Sequence, residues 1–178
     1  IASIFKNEFH ISYTNLFREP TFFIPILRII KQKIEQEGIA RIWHAGCAKG
    51  HEAYSLAILL EENNLLEKCK IYATDVNTIA LRSASRGIIE IEEVKSGIKD
   101  YMTAGGQEHI VHHFHFNENT AILKNRILSK IKFAHHELGK NPPFQKFDLG
   151  ICRNLLIYYR DSHQTSLIKT LLDSLHPH

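Results

Sequence analysis

The chain has 178 residues, 44% of them hydrophobic and 23% charged, with a formal net charge of +3. That length supports one domain with a substantial core, and the composition excludes a low-complexity or disordered chain. No apolar run reaches the roughly 18 residues of a membrane span, and the basic residues are scattered instead of forming the dense patch of a nucleic-acid binder. The cysteines, Cys47, Cys69 and Cys152, are too few and too dispersed for a disulfide framework, as expected of a reducing cytoplasm.

In chain order, Thr14 is placed to cap a first short turn, which Pro20 interrupts. Phe22, Phe23, Ile26, Leu27, Ile30 and Ile34 then recur at helical spacing until Gly38, so residues 1–40 read as an N-terminal helical segment. A strand is expected at about 41–45, then a helix at about 51–62 with Ala53, Leu56, Ala57 and Leu60 on one face. A second strand at about 70–74 and a helix at about 78–86, closed by Gly87, continue the alternation. The rhythm breaks over 88–130. Residues 110–116 and 120–123 flank Asn117-Glu118-Asn119 as a hairpin would, so about 97–130 is expected to be a small inserted antiparallel β-subdomain. The Lys- and Glu-rich stretch 90–100 reads as a solvated face. Strands follow at 131–134 and 148–152, and 162–175 reads as an amphipathic helix.

This order predicts an α/β fold over 41–178, a Rossmann-like parallel sheet with helices on both faces. The apolar strand at 148–152 suits pairing on both edges, so a further strand is expected beyond His178. The same strand would give the last helix a surface on which to bury Leu167, Ile168, Leu171, Leu172 and Leu175.

The densest functional signal is Trp43-His44-Ala45-Gly46-Cys47-Ala48-Lys49-Gly50, a strand running through a glycine turn into a helix. It is followed by Ile71-Tyr72-Ala73-Thr74-Asp75, a second strand ending in an acid. Parallel sheets build nucleoside sites this way: glycines let the backbone approach the ligand, and the strand-end acid takes the ribose hydroxyls. No Gly-x-Gly-x-x-Gly occurs, which disfavours a dinucleotide. Asp75 has a plainer reading as a cap for the helix near Thr78. Six of the twelve histidines (His109, His112, His113, His115, His135 and His136) cluster in sequence, and on a strand His113 and His115 would share a face. No Cys or acid pair lies at zinc spacing, so no metal site is expected. Trp43 reads as core.

Several segments together resemble the chemotaxis-receptor methyltransferase (CheR) family. They are Thr14-Asn15-Leu16-Phe17-Arg18-Glu19, Arg41-Ile42-Trp43 with Ala45-Gly46-Cys47, Gly50 with Glu52-Ala53-Tyr54-Ser55, Ala73-Thr74-Asp75, Pro143-Phe144 with Phe147-Asp148, and Cys152-Arg153-Asn154-Leu155-Leu156-Ile157-Tyr158-Tyr159. They run in family order over nearly the whole chain. The resemblance implies a class I methyltransferase that moves a methyl group from S-adenosylmethionine to receptor glutamates and leaves S-adenosylhomocysteine. It implies that Glu52 holds the cofactor's amino group and Asp75 both ribose hydroxyls. Gly46 would sit under the cofactor, and Asn154 and Leu155 would line its methionine side. Glu137 and Leu138 would lie by the adenine, with Glu137 accepting from its amino group. Thr14 and Arg18 would reach over from the N-terminal segment. Arg18 and Tyr158 would face the methyl and the incoming glutamate, as the catalytic pair. Arg153 reads as structural, bonding carbonyls near the site.

The chain also departs from the family pattern. It has Ala48-Lys49-Gly50-His51-Glu52 where the family has Ser-Thr-Gly-Glu-Glu, Glu137 where an Asn is usual, and Ser12 where an Asn is common. Two alternatives therefore stand beside the receptor methyltransferase: a cofactor-binding signalling module without transfer activity, and a methyltransferase with another substrate.

Overall fold

The computed structural model describes residues 14–177, and only the backbone at Tyr158, Asp161 and Ser162. Ser12 lies outside the described residues. Pro20 opens a 3-10 turn, Pro20–Phe22, that leads straight into helix α1, Phe23–Glu37. A proline in the first turn forfeits no intrahelical bond, so Pro20 starts the helix where the sequence suggested an interruption. Helix α1 buries Phe23, Ile26, Ile30 and Ile34, and Gly38, at φ +76°, closes it by donating to the Ile34 carbonyl.

Strands β1 (Ala40–Ala45), β2 (Cys69–Asp75), β6 (Ile131–His135) and β7 (Leu149–Ile151) form a parallel sheet in the order β6-β2-β1-β7. Neighbouring residues on β1 point to opposite faces and enter different cores. On one face, Ile42, Ile71 and Ala73 pack with helices α1, α2 (His51–Glu62) and α3 (Thr78–Ala84). On the other, Trp43 stacks on Phe147 at 5.1 Å beside Leu138 and Leu167 of α6 (Asp161–Asp173). Helix α2 is buried from His51 through Leu60 apart from Glu52, because it runs beneath the sheet and not along its rim.

A second sheet, antiparallel in the order β3-β5-β4, joins Ile88–Glu90, Thr120–Leu123 and Phe114–Phe116. It begins with residue 88, upstream of the expected insert. Its first strand runs into helix α4 (Ile91–Thr103), which a reciprocal Glu90–Glu93 capping box starts and which buries Val94, Gly97 and Tyr101. The stretch 90–100 is therefore an amphipathic helix and not merely a solvated face. Ile110–His113 is a 3-10 turn, so His113 and His115 do not share a strand face; His113 is buried and His115 exposed. The short helix α5, Asn125–Leu128, leads back to the large sheet.

Beyond α6 the backbone meets the outer side of the 147–151 segment. Phe147 pairs with Leu175 in a parallel bridge, donating to the Ser174 carbonyl at 2.8 Å and accepting from His176 N–H at 2.9 Å. Leu167 is buried and Leu171 and Leu175 pack on the Trp43 core, whereas Ile168 and Leu172 are exposed.

Candidate functional site

The C-terminal ends of β1, β2 and β6 open on one crevice, where open parallel sheets bind ligands. At the end of β1 the chain turns sharply. Gly46 adopts φ +78°, and the N–H groups of Gly46 and Cys47 both donate to the Thr74 carbonyl, at 2.8 and 2.9 Å. Ala48 (φ +47°) follows, and its N–H donates to Asp75 Oδ2 at 2.7 Å. Asp75 Oδ1 accepts from Asn77 N–H at 2.8 Å, and Asn77, not Asp75, caps α3. Among the described residues the carboxylate thus pins both loops with one bond per oxygen. A carboxylate has about four acceptor sites, so each oxygen keeps one for a ribose hydroxyl.

Beside Asp75 lies a cleft lined by Gly46, Val76, His136, Leu138, Leu155 and Tyr159. Leu155 folds down onto Gly46: a Cβ built there would lie 2.8 Å from Leu155 Cδ2. G46A is therefore expected to lower stability by about 1–2 kcal/mol through the left-handed backbone and to weaken S-adenosylhomocysteine binding about tenfold by displacing Leu155. Thermal unfolding and calorimetric titration read the two effects separately.

Glu52 stands in the first turn of α2, where the helix dipole favours an acid. Its Oε1 lies 3.3 Å from His44 Nδ1, and its Oε2 accepts from Arg153 Nη1 at 2.9 Å. Burial pushes its carboxyl up, but His44 and Arg153 outweigh burial and hold it below its ordinary value. Glu52 is therefore an anion at neutral pH. Arg153 also donates to the Arg18 carbonyl, pairs with Glu19 at 2.7 Å and covers the Phe22 ring at 4.1 Å. It ties the N-terminal segment to the site and is more than a carbonyl ligand.

The N-terminal segment is clamped at two further points. Phe17, buried at φ +54°, donates its N–H to Ser55 Oγ at 2.8 Å. His51, 1% exposed, bonds the Thr14 carbonyl through Nδ1 at 2.7 Å. Burial pushes the His51 pKa down, so the ring is neutral at pH 7 and its Nδ1–H is the donor. The departure at His51 thus has a structural task, while Lys49 is exposed. Left-handed non-glycine residues occur at Ala48 in the glycine turn, at Asn154 beside Leu155 and at Glu19, the partner of Arg153, and such strain gathers at functional sites.

The residues implied by the resemblance divide as follows. Gly46, Asp75, Leu138 and Leu155 share the cleft, and Glu52 stands in the adjoining charged cluster. Thr14 contributes its carbonyl to His51. Arg18 accepts from Arg153 through its carbonyl at 3.4 Å, with its guanidinium 3.7 Å from Glu19. Asn154 is exposed at φ +55°, and Tyr158 belongs to the 3-10 turn Leu156–Tyr158. Glu137 is not part of the cleft lining and pairs with Lys140 at 2.6 Å. Sequence reasoning missed Val76, His136 and Tyr159. The available signal was position: the first two directly follow strand-end residues. Among the described residues, no group of three or more His, Cys, Asp or Glu is placed to hold a metal ion.

The sheet, the glycine turn and the half-satisfied strand-end acid define a domain of the class I methyltransferase type. The glycopeptide N-methyltransferase MtfA, solved with S-adenosyl-L-methionine, shares this fold at a TM-score of 0.51 and 7% identity, over 93% of this chain and 52% of that one. The chain belongs to the CheR family: residues 12–178 match the family model described as CheR methyltransferase, SAM binding domain. It is 32% identical to a Pseudomonas putida protein named "Putative methyltransferase Cher3", over 93% of this chain and 60% of that protein. It is 27% identical to the chemotaxis protein methyltransferase of Salmonella typhimurium, over 97% of this chain and 59% of that one. The chain therefore spans about 60% of these relatives' length. S-adenosylmethionine is the cofactor of the domain, and the free acceptor sites of Asp75 beside an apolar cleft fit it.

Proposed function

We propose that this protein transfers methyl groups from S-adenosylmethionine to glutamate side chains of chemoreceptor-type signalling proteins in the cytoplasm. The observation that carries the reading is Asp75, held by two loop N–H groups with an acceptor site free on each oxygen, in a chain of the CheR family. When bound, the cofactor supplies a methyl on a sulfonium, an electrophile that needs no activation. A glutamate carboxylate, with an ordinary pKa of about 4.3, is already an anion at neutral pH, so no general base is required. The chain's task is alignment. Asp75 and Glu52 fix the ribose and the amino group, and Leu155 on Gly46 gives an apolar wall that keeps water out. Arg18, on the resemblance, orients the incoming carboxylate through paired hydrogen bonds, with Tyr158 beside it. The cysteines beside this machinery are not competing nucleophiles: burial, with help from Asp75 and Glu52, pushes the Cys47 thiol up, and burial with help from Glu52 pushes the Cys152 thiol up to about 11. In this reading residues 41–178 form the methyltransferase domain and the antiparallel sheet meets the receptor. Among the described residues no helix is long and apolar enough to cross a membrane.

The test is transfer of labelled methyl from S-adenosylmethionine to a receptor cytoplasmic fragment. Base-labile label released as methanol is the expected result. Arg18→Ala and Tyr158→Phe should each cut turnover tenfold or more while leaving S-adenosylhomocysteine affinity within about threefold. Base-stable label would point to a different substrate. Tight cofactor binding without transfer to any receptor fragment would favour the non-catalytic module.

A further inference from the structure

Resting on that cofactor reading, we infer that His136, and not Glu137, is the residue that selects adenine in this protein. His136 directly follows β6, and its N–H donates to the Asp75 carbonyl at 3.2 Å, which locks the two strand ends together. Its ring packs edge-on against Trp43, at 5.3 Å between centroids, and Phe144, at 5.6 Å. The side chain is 8% exposed and lines the cleft with Asp75, Val76, Leu138, Leu155 and Tyr159. A ribose held by Asp75 would leave its base beside the apolar part of this lining.

The polarity of His136 follows from its one partner. Nε2 lies 3.2 Å from the Pro142 carbonyl, which can only accept, so Nε2 carries the proton. In that tautomer Nδ1 is a bare lone pair. It is buried and has no hydrogen-bond partner among the described residues. An orphaned buried acceptor is costly, and what satisfies it must be a donor. The exocyclic amino group of adenine is such a donor, and the 6-oxo group of hypoxanthine is not. Glu137 is turned to another use: its carboxylate pairs with Lys140 and its N–H donates to Asn141 Oδ1 at 2.8 Å.

A site built around a hydrogen bond rejects a ligand that lacks the matching group more strongly than an apolar pocket does. The experiment is calorimetric titration of the whole chain with S-adenosylhomocysteine and with S-inosylhomocysteine, which carries oxo in place of the amino group. The unsubstituted protein should prefer the adenine compound by at least tenfold. In His136→Phe, which keeps an aromatic ring against Trp43 and Phe144, that preference should fall below about threefold. His136→Leu is read the same way should the Phe variant fail to fold. The preference is a ratio measured within one protein, so any unfolded fraction cancels. Glu137→Ala should keep the full preference. Undiminished discrimination in the His136 variants, or its loss in Glu137→Ala, would overturn the assignment while leaving the cofactor reading intact. Failure of the unsubstituted protein to bind S-adenosylhomocysteine at all would overturn both.

Discussion

Asp75→Ala is expected to weaken S-adenosylhomocysteine binding about a hundredfold or more. Two ribose hydroxyls bonding one carboxylate make two hydrogen bonds to a charged group, each worth roughly 1.5–3 kcal/mol. At about 1.4 kcal/mol per decade of affinity, even the lower figure for both bonds gives two decades. The geometry adds a second loss. Asp75 is the partner of Ala48 N–H at 2.7 Å and of Asn77 N–H at 2.8 Å. Ala48 sits at φ +47°, a backbone region an alanine rarely holds unaided. Without the carboxylate that turn is free to relax, and the cradle over Gly46 relaxes with it. Asp75→Asn keeps one acceptor oxygen and should fall between the two. Calorimetric titration measures all three proteins, and unchanged affinity in Asp75→Ala would move the ribose elsewhere.

The strands and helices of the large sheet were legible because their burial is periodic and nearly continuous. Residues 70–74 read as a strand from Ile71, Tyr72 and Ala73 alone, and β2 runs Cys69–Asp75. Gly46 and Asp75 were legible for a chemical reason: a glycine turn at one strand end and an acid at the next are how a parallel sheet builds a ribose site, although each alone had a plainer reading. What stayed hidden depends on tertiary partners. Phe17 carries no sign of its left-handed backbone, which holds because Ser55 takes its N–H and Phe23 and Tyr101 pack on its ring. His51 looked like a lost acid; only burial against the N-terminal segment shows it as a clasp on Thr14. His136 looked like one histidine among several, and only its place beside Trp43 and Asp75 separates it from exposed His135. The insert was placed too far downstream because Ile88–Glu90 is a strand too short to show alternation, and its antiparallel partner β5 lies thirty residues away.

Glu62→Ala is expected to be a damaging change outside the crevice, destabilising the fold by about 3–5 kcal/mol, because each buried donor left without its acceptor costs roughly 1–3 kcal/mol. Glu61 and Glu62 end α2, and Glu62 is the hub that joins this helix to the antiparallel sheet. Its side chain is 2% exposed. Its Oε1 meets His113 Nε2 at 2.8 Å and accepts from the Tyr101 hydroxyl, and its Oε2 accepts from Gln107 N–H at 3.1 Å. Burial and the Glu62 bond push the Tyr101 phenol up, so the hydroxyl stays a donor. It also accepts from Glu108 N–H at 3.1 Å, extending the network into the loop after α4. Truncation at Glu62 leaves buried His113, the Tyr101 hydroxyl and a backbone N–H without their acceptor in one step. Glu61, 23% exposed, meets the other His113 nitrogen at 3.2 Å and pairs with Arg126 near the surface. Glu61→Ala should therefore cost only about 1 kcal/mol, as exposed ion pairs do. For a domain of this size each kcal/mol shifts the melting temperature by roughly 2–4 °C, so Glu62→Ala should melt about 10 °C lower and Glu61→Ala only a few degrees lower. Urea denaturation followed by far-UV circular dichroism checks the free energies directly. Equal, small losses in both variants would show that the contact between α2 and the small sheet is a surface pairing and not the joint that holds the two sheets in register.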